Sequence, residues 1–166
     1  MKTALKTVIA GSLCWLLSAC AGLGQPPVLA GQTEADALAA LGPPTGRYAM
    51  ASGTQRLEFA RGPAGRITWM VDVDGTGRIQ AVEQVLDAAH FARVRDGMPR
   101  DELLRLLGRP AARQREWQQR ETWSWRYETN DCVWLRVTLT ADGRVQGGAA
   151  HMPDPACDAG RGVEPR

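Results

Sequence analysis

Lysine is almost missing from this chain of 166 residues. Lys2 and Lys6 are the only two, and both precede the apolar stretch at residues 7–19. From residue 20 onward, 18 Arg stand against 18 Asp plus Glu, so the formal charge of +2 belongs to the first residues. A near-neutral remainder has no global field to attract nucleic acid, and no nucleic-acid partner is expected. Histidine is scarce, with His90 and His151 alone, and no CxxC pair occurs. Metal sites need clusters of those residues, so no metal ligand is assigned. Beyond residue 20 the only serines are Ser52 and Ser124, neither inside a nucleophile motif. A Ser-His or Cys-His arrangement is therefore not expected, and the chain is read as a non-enzyme with no cofactor. After residue 19 no apolar run approaches the length of a membrane span.

What the first residues do have is a layout. "MKTALK" is basic, and "TVIAGSLCWLLSA" is apolar and short, as in a secretory signal. The stretch ends in "LSAC", which resembles the lipobox of bacterial lipoproteins. The resemblance implies cleavage after Ala19 and acylation of Cys20, with diacylglyceryl and palmitate-type chains. Several acyl chains on one residue make a stable anchor. Ala21, where inner-membrane retention would favour Asp, implies an outer-membrane lipoprotein facing the periplasm. The expected division is a signal at residues 1–19 and a lipidated tether at 20–30. Two units follow at 31–86 and 87–157, then a tail at 158–166.

Cysteine use agrees with that compartment. Cys14 leaves with the signal, Cys20 is lipidated, and Cys132 and Cys157 remain. In an oxidising compartment such a pair is expected to form a disulfide, worth roughly 3–4 kcal/mol by the chain-entropy argument.

"GQTEADALAALGPPTGR" and "GMPRDELLRLLGRPAAR" begin 66 residues apart, at Gly31 and Gly97. At that offset Gly42 falls on Gly108, Pro44 on Pro110 and Arg78 on Arg144. Apolar positions also coincide, Leu57 and Phe59 with Trp123 and Trp125. Self-similarity at a fixed period predicts a duplicated unit. Each copy predicts an α+β unit. A short helix starts at Thr33, with Asp36 completing a capping box, or near Pro99 within a first turn. Gly42 or Gly108 stops it. Alternating runs such as "ETWSWRY" and "CVWLRVTLTADGRVQ" then predict a three-stranded antiparallel meander, apolar toward the helix and polar toward water. "LDAAHFARV" adds a short helix before the second copy. Counting from the "ADGR" turn places Cys132 opposite His151.

"GMPRDELLRLLGRP", with "FARVRD" before it and "WSWRY" after it, resembles the BamE (SmpA/OmlA) lipoprotein domain. That signature reads G-M-T-x-x-x-V-x-x-x-L-G-x-P; Pro99 stands here where it has Thr. The resemblance covers residues 91–146 closely and 31–81 loosely. It implies an outer-membrane lipoprotein that assists β-barrel assembly. Two copies in tandem are similar in layout to β-lactamase inhibitory proteins, which implies the alternative of a clamp on a soluble periplasmic enzyme.

"DVDGTGRIQAVE" matches a calcium-loop string, with Asp72, Asp74, Thr76 and Glu83 at ligand positions. Strand-like alternation on both sides argues for a hairpin turn instead. The polar sheet faces are left as contact surface: Arg56, Glu58, Thr68, Met70 and Asp72 in the first copy, and Thr122, Ser124, Arg126, Trp134 and Arg136 in the second. Trp134 among arginines has the composition of a protein-contact hot spot, and its alternative is cover by a loop or stacking on Arg126 within the sheet. Arg115, Trp117 and Arg120 make a second basic-aromatic run, one that also suits anionic head groups. The expected partner-binding residues are Arg126, Trp134, Arg136, Arg115 and Trp117, for one or more envelope proteins such as barrel-assembly subunits.

Overall fold

The computed structural model describes residues 26–61, 65–129 and 131–154. The signal, the lipobox with Cys20, Cys157 and the tail lie outside the described residues. The fold is α+β, with two four-stranded antiparallel sheets and short helices. Helix α1 (Glu34–Leu41) precedes strands β1 (Gly46–Ala49), β2 (Gln55–Arg61), β3 (Ile67–Val73) and β4 (Ile79–Gln84). Helices α2 (Ala88–Phe91) and α3 (Arg100–Leu107) precede β5 (Ala112–Arg115), β6 (Glu121–Arg126), β7 (Val133–Leu139) and β8 (Val145–Pro153). The sheets run β1-β2-β3-β4 and β5-β6-β7-β8, and they are separate.

Each sheet has one strand more than the expected meander. β1 and β5 were hidden inside "TGRYA" and "ARQR", runs too short and polar to alternate visibly. They form because Thr45 N–H donates to Glu58 O at 2.7 Å, and Ala111 N–H to Ser124 O at 2.8 Å, which zips the post-helix chain onto the next strand.

Local chemistry sets the helix ends. Thr33 Oγ1 accepts from Asp36 N–H at 3.2 Å, and Asp36 Oδ2 accepts from Thr33 N–H at 2.9 Å, a complete capping box. Pro99 is the N-cap of α3 rather than a first-turn residue, with φ −65° and ψ 147° and no side-chain cap bond. Gly42 and Gly108 end the helices at φ 71° and 75°, a region costly for residues with a Cβ. Their N–H groups donate back to Leu38 O and Leu104 O.

The elements stack as alternating layers. Ala37 and Leu41 of α1 pack on Leu57, Phe59, Trp69, Val71 and Val73, one face of the first sheet. Val28 is buried in the same cluster, so the segment read as a tether already joins the core at that residue. The opposite face of the first sheet was expected to meet water, and it does not. Met70 sits with Leu103, Leu106 and Leu107 of α3 and with Trp123, Trp125, Leu135 and Val137 of the second sheet in one core. Helix α3 therefore lies between the two sheets. Phe91 and Val94 extend this core, as the short extra helix predicted. Glu58 and Thr68 are buried with Met70.

Burying Glu58 requires partners. Its carboxylate accepts from Tyr48 Oη and, at 3.0 Å, from Thr45 Oγ1. Burial, then the adjoining Glu58 carboxylate, push the Tyr48 hydroxyl well above its ordinary range. Arg56 is held by Asp72 through two bonds of 2.6 Å, and its Nη1 donates to Arg105 O at 3.1 Å, tying the first sheet to α3. That contact with Asp72, more than offsetting burial, raises the Arg56 pKa further.

Candidate functional site: the open face of the second sheet

The two sheets differ in what covers them. The second sheet turns Trp123, Trp125, Leu135, Val137 and Leu139 toward α3. Alternation then sends Thr122, Ser124, Arg126, Trp134, Arg136 and Thr138 to the far side, where no helix of the described residues packs. The register sets the arrangement of this face. Arg126 pairs with Trp134 and Ser124 with Arg136 across β6–β7; Met152 and Ala150 continue those rows on β8.

Arg126 Cζ lies 4.4 Å from the centre of the Trp134 ring, so the two stack within the sheet. Arg126 Nε is 3.3 Å from Asp154 Oδ2, an ion-pair distance, though the alignment falls short of a hydrogen bond. Trp134 Nε1–H is buried and meets no acceptor among the described residues. Both side chains border a cleft of about 440 Å³ whose other wall carries Thr45, Glu58 and Arg109. Met152 is 42% exposed beside Trp134. The site is thus an aromatic-arginine cluster with an adjoining methionine.

Sequence reasoning missed Met152 and Asp154 because of the register. β8 contains a bulge, and its pairing jumps between Val137 and Thr138. Gly147 and Gly148, at φ 74° and 80°, absorb the extra residues. His151 therefore pairs with Leu135, and Asp154 N–H donates to Cys132 O at 2.8 Å. The expected Cys132–His151 alignment is corrected by this shift, for which the "GG" pair was the available signal. Asp154, which bonds Cys132 O, stands three residues before Cys157 in the sequence.

Arg115 and Trp117 are not part of this face. Arg115 lies on edge strand β5 opposite Glu121, on the same side of the sheet as Trp123. Its neighbour Arg113 covers the Trp123 ring at 4.4 Å. Trp117 is 80% exposed at the β5–β6 turn, where Gln118 and Gln119 both adopt positive φ. The structure brings together Arg126, Trp134 and Arg136, and separates Arg115 and Trp117 from them.

The calcium-like string is a β3–β4 hairpin. Asp74 Oδ1 accepts from Thr76 N–H, Thr76 Oγ1 and Arg78 N–H, and Oδ2 from Gln80 Nε2. Those donors, the Thr76 hydroxyl foremost, hold the Asp74 carboxyl below its usual range. Asp72 is engaged with Arg56. Among the described residues no His, Cys, Asp and Glu cluster with metal-binding geometry occurs. His90 Nδ1 contacts Asp87 Oδ1 at 2.8 Å, and His151 lies edge-on to Phe91 and Tyr127. Ser124 is buried and Ser52 bonds Thr54.

No family model matches the chain, and no curated protein matches it. Among solved structures it is similar to an extracellular protein containing an SCP domain from Bacillus anthracis str. Ames, at 10% identity and a TM-score of 0.30. That match covers 80% of this chain and 46% of the other, so the chain spans less than half of that protein. A likeness at this level carries no argument about fold or function.

Proposed function

We propose that this chain is a lipid-anchored outer-membrane lipoprotein of the BamE-like kind, facing the periplasm. In this reading it is built by duplication of one helix-and-sheet unit, and it serves as a non-enzymatic protein-binding scaffold in envelope or outer-membrane protein assembly.

The anchor rests on "LSAC" and the basic-apolar segment before it. Duplication is supported by backbone contacts that recur at the 66-residue offset. Thr33 bridges Arg78 as Pro99 bridges Arg144. Arg78 Nη1 donates to Gly31 O at 2.9 Å, as Arg144 Nη1 donates to Gly97 O at 3.0 Å. β1 and β5, and β3 and β7, occupy ranges displaced by the same 66.

The observation that carries the scaffold role is the open face. Among the described residues a helix packs on both faces of the first sheet and on one face of the second. The other face of the second sheet holds Arg126, Trp134, Arg136 and Met152. A partner protein docking there completes the pattern. The inhibitor-clamp alternative needs the outward faces of both sheets on one surface, and the first sheet spends its second face on α3.

Affinity capture with the native lipoprotein from solubilised envelopes tests the proposal. Barrel-assembly subunits should be recovered, and Trp134→Ala or Arg136→Ala should abolish their recovery with the unfolding temperature unchanged. Recovery of no envelope partner overturns it.

A further inference from the structure

One strand edge differs from the others described. Charged residues on edge strands discourage pairing with other chains. β1 carries Arg47, β4 carries Glu83, and β5 carries Arg113 and Arg115. β8 runs nine residues, "VQGGAAHMP", with no Asp, Glu, Lys or Arg. Its beginning is closed. Gly97 N–H donates to Val145 O, Val145 N–H to Met98 O, and Gly147 N–H to Asp96 Oδ1 at 2.7 Å.

Beyond the bulge no described strand pairs with the outer edge. The bond from Asp154 N–H to Cys132 O sets the parity of the ladder. In an antiparallel pair, residues that bond the partner alternate with residues whose N–H and C=O point away. Counting back along the register, Met152 and Ala150 face β7, while Pro153, His151 and Ala149 point outward. Proline at an outward position fits, since it has no N–H to offer a ladder. Among the described residues nothing accepts from the outward N–H of Ala149 or His151.

The side chains beside this edge add specificity. Arg136 pairs across from Ala150 and has no carboxylate partner among the described residues. Ala150 presents only a methyl group between Arg136 and the edge. A strand added about 4.8 Å beyond β8 would place a Glu or Asp side chain within joint reach of that guanidinium. One row along, Met152 and Trp134 offer an apolar ledge.

We propose that residues 149–153 of β8 bind an extended acidic-apolar peptide segment as a further strand. The segment's carboxylate pairs with Arg136, and an apolar residue two positions away packs on Met152. This deepens the scaffold reading and rests on it for the face used. Envelope capture can succeed while the edge stays unprotected, so the two fail separately.

The test is amide hydrogen exchange on the full chain with an eight-residue peptide alternating threonine with valine, glutamate, leucine and valine. Binding should slow exchange at Ala149 and His151 by about tenfold or more, leaving Ala150 and Met152 unchanged. Replacing the peptide's glutamate by lysine should weaken binding by about tenfold or more. Ala150→Glu, which places a carboxylate beside Arg136 within the chain, should weaken it comparably. Arg136→Gln reads the same contact should Ala150→Glu fail to fold. The proposal is overturned by no slowing at Ala149 and His151, or by slowing that ignores the glutamate. Slowing that appears without peptide as protein concentration rises also overturns it, because the edge then belongs to a second copy.

Discussion

Met70 and Arg136 stand 66 residues apart, at the same place on the second face of their sheets. Met70 is 1% exposed, whereas Arg136 is partly open to solvent. Thr68, 1% exposed, and Trp134, only half-buried, repeat the contrast, whereas Glu58 and Ser124 are both buried. The helices show it too: Ala40 of α1 is exposed, and Leu106, its counterpart in α3, is 6% exposed. Among the described residues α1 has a sheet on one side, and α3 has one on each. The same local pattern meets different surroundings because the first sheet and α3 lie inside the stack, whereas α1 and the second sheet form its two ends.

Exchanging the residues of each pair is the sharpest way to break this comparison. Met70→Arg puts an unpaired charge into the shared core and should cost about 3–5 kcal/mol. The reverse-direction change, Arg136→Met, should stay within about 0.5 kcal/mol while abolishing partner capture. Urea unfolding of both variants measures the difference, and equal losses would mean that the second face of the second sheet is also covered.

The helix pair comes next. Leu106→Ala should cost about 2–4 kcal/mol, and Ala40→Leu should change stability by no more than about 0.5 kcal/mol. Thermal unfolding of the two single variants decides it.

The polar pair should give a smaller gap. Glu58→Ala leaves Tyr48 and Thr45 facing a buried void and should cost about 2–3 kcal/mol, against about 1 kcal/mol or less for Ser124→Ala. Denaturant midpoints of the two variants provide the check.

The helix starts should differ least, by an amount that depends on pH. Thr33→Ala removes the α1 cap at a cost of about 1 kcal/mol. The backbone N–H and then the hydroxyl of Thr33 hold the Asp36 carboxyl below its ordinary value. A depressed carboxylate contributes stability that is present above its unfolded pKa, about 4. That contribution disappears as pH falls through the lower folded value. Asp36→Asn should therefore flatten the acid limb of the stability curve, as followed by unfolding at stepped pH. Variants at Pro99, which makes no side-chain cap bond, should leave that limb unchanged.

Much of each unit was legible because it is local. Thr33 with Asp36 spelled the start of α1, and Gly42 and Gly108 spelled both helix ends. The alternation of Trp123, Trp125, Leu135 and Val137 marked one buried face. Trp134 and Arg126 were legible as neighbours on the opposite face, and they do stack. Met152 was not legible there, because a two-residue bulge at Gly147 and Gly148 moves it into the row. Strands β1 and β5 escaped because runs of four residues, "GRYA" and "ARQR", are too short to show a period.

The sequence by itself determined where the helices and most strands begin and end, and which face of each sheet is greasy, since those depend on spacing and caps a few residues apart. Only the tertiary structure decided that α3 packs on both sheets, that Glu58 and Met70 are buried, and that no helix of the described residues packs on the face holding Arg126, Trp134 and Arg136. Polar residues on a strand face state what that face can tolerate. Which layer comes to rest on it depends on contacts between residues tens of positions apart, such as Arg56 with Arg105.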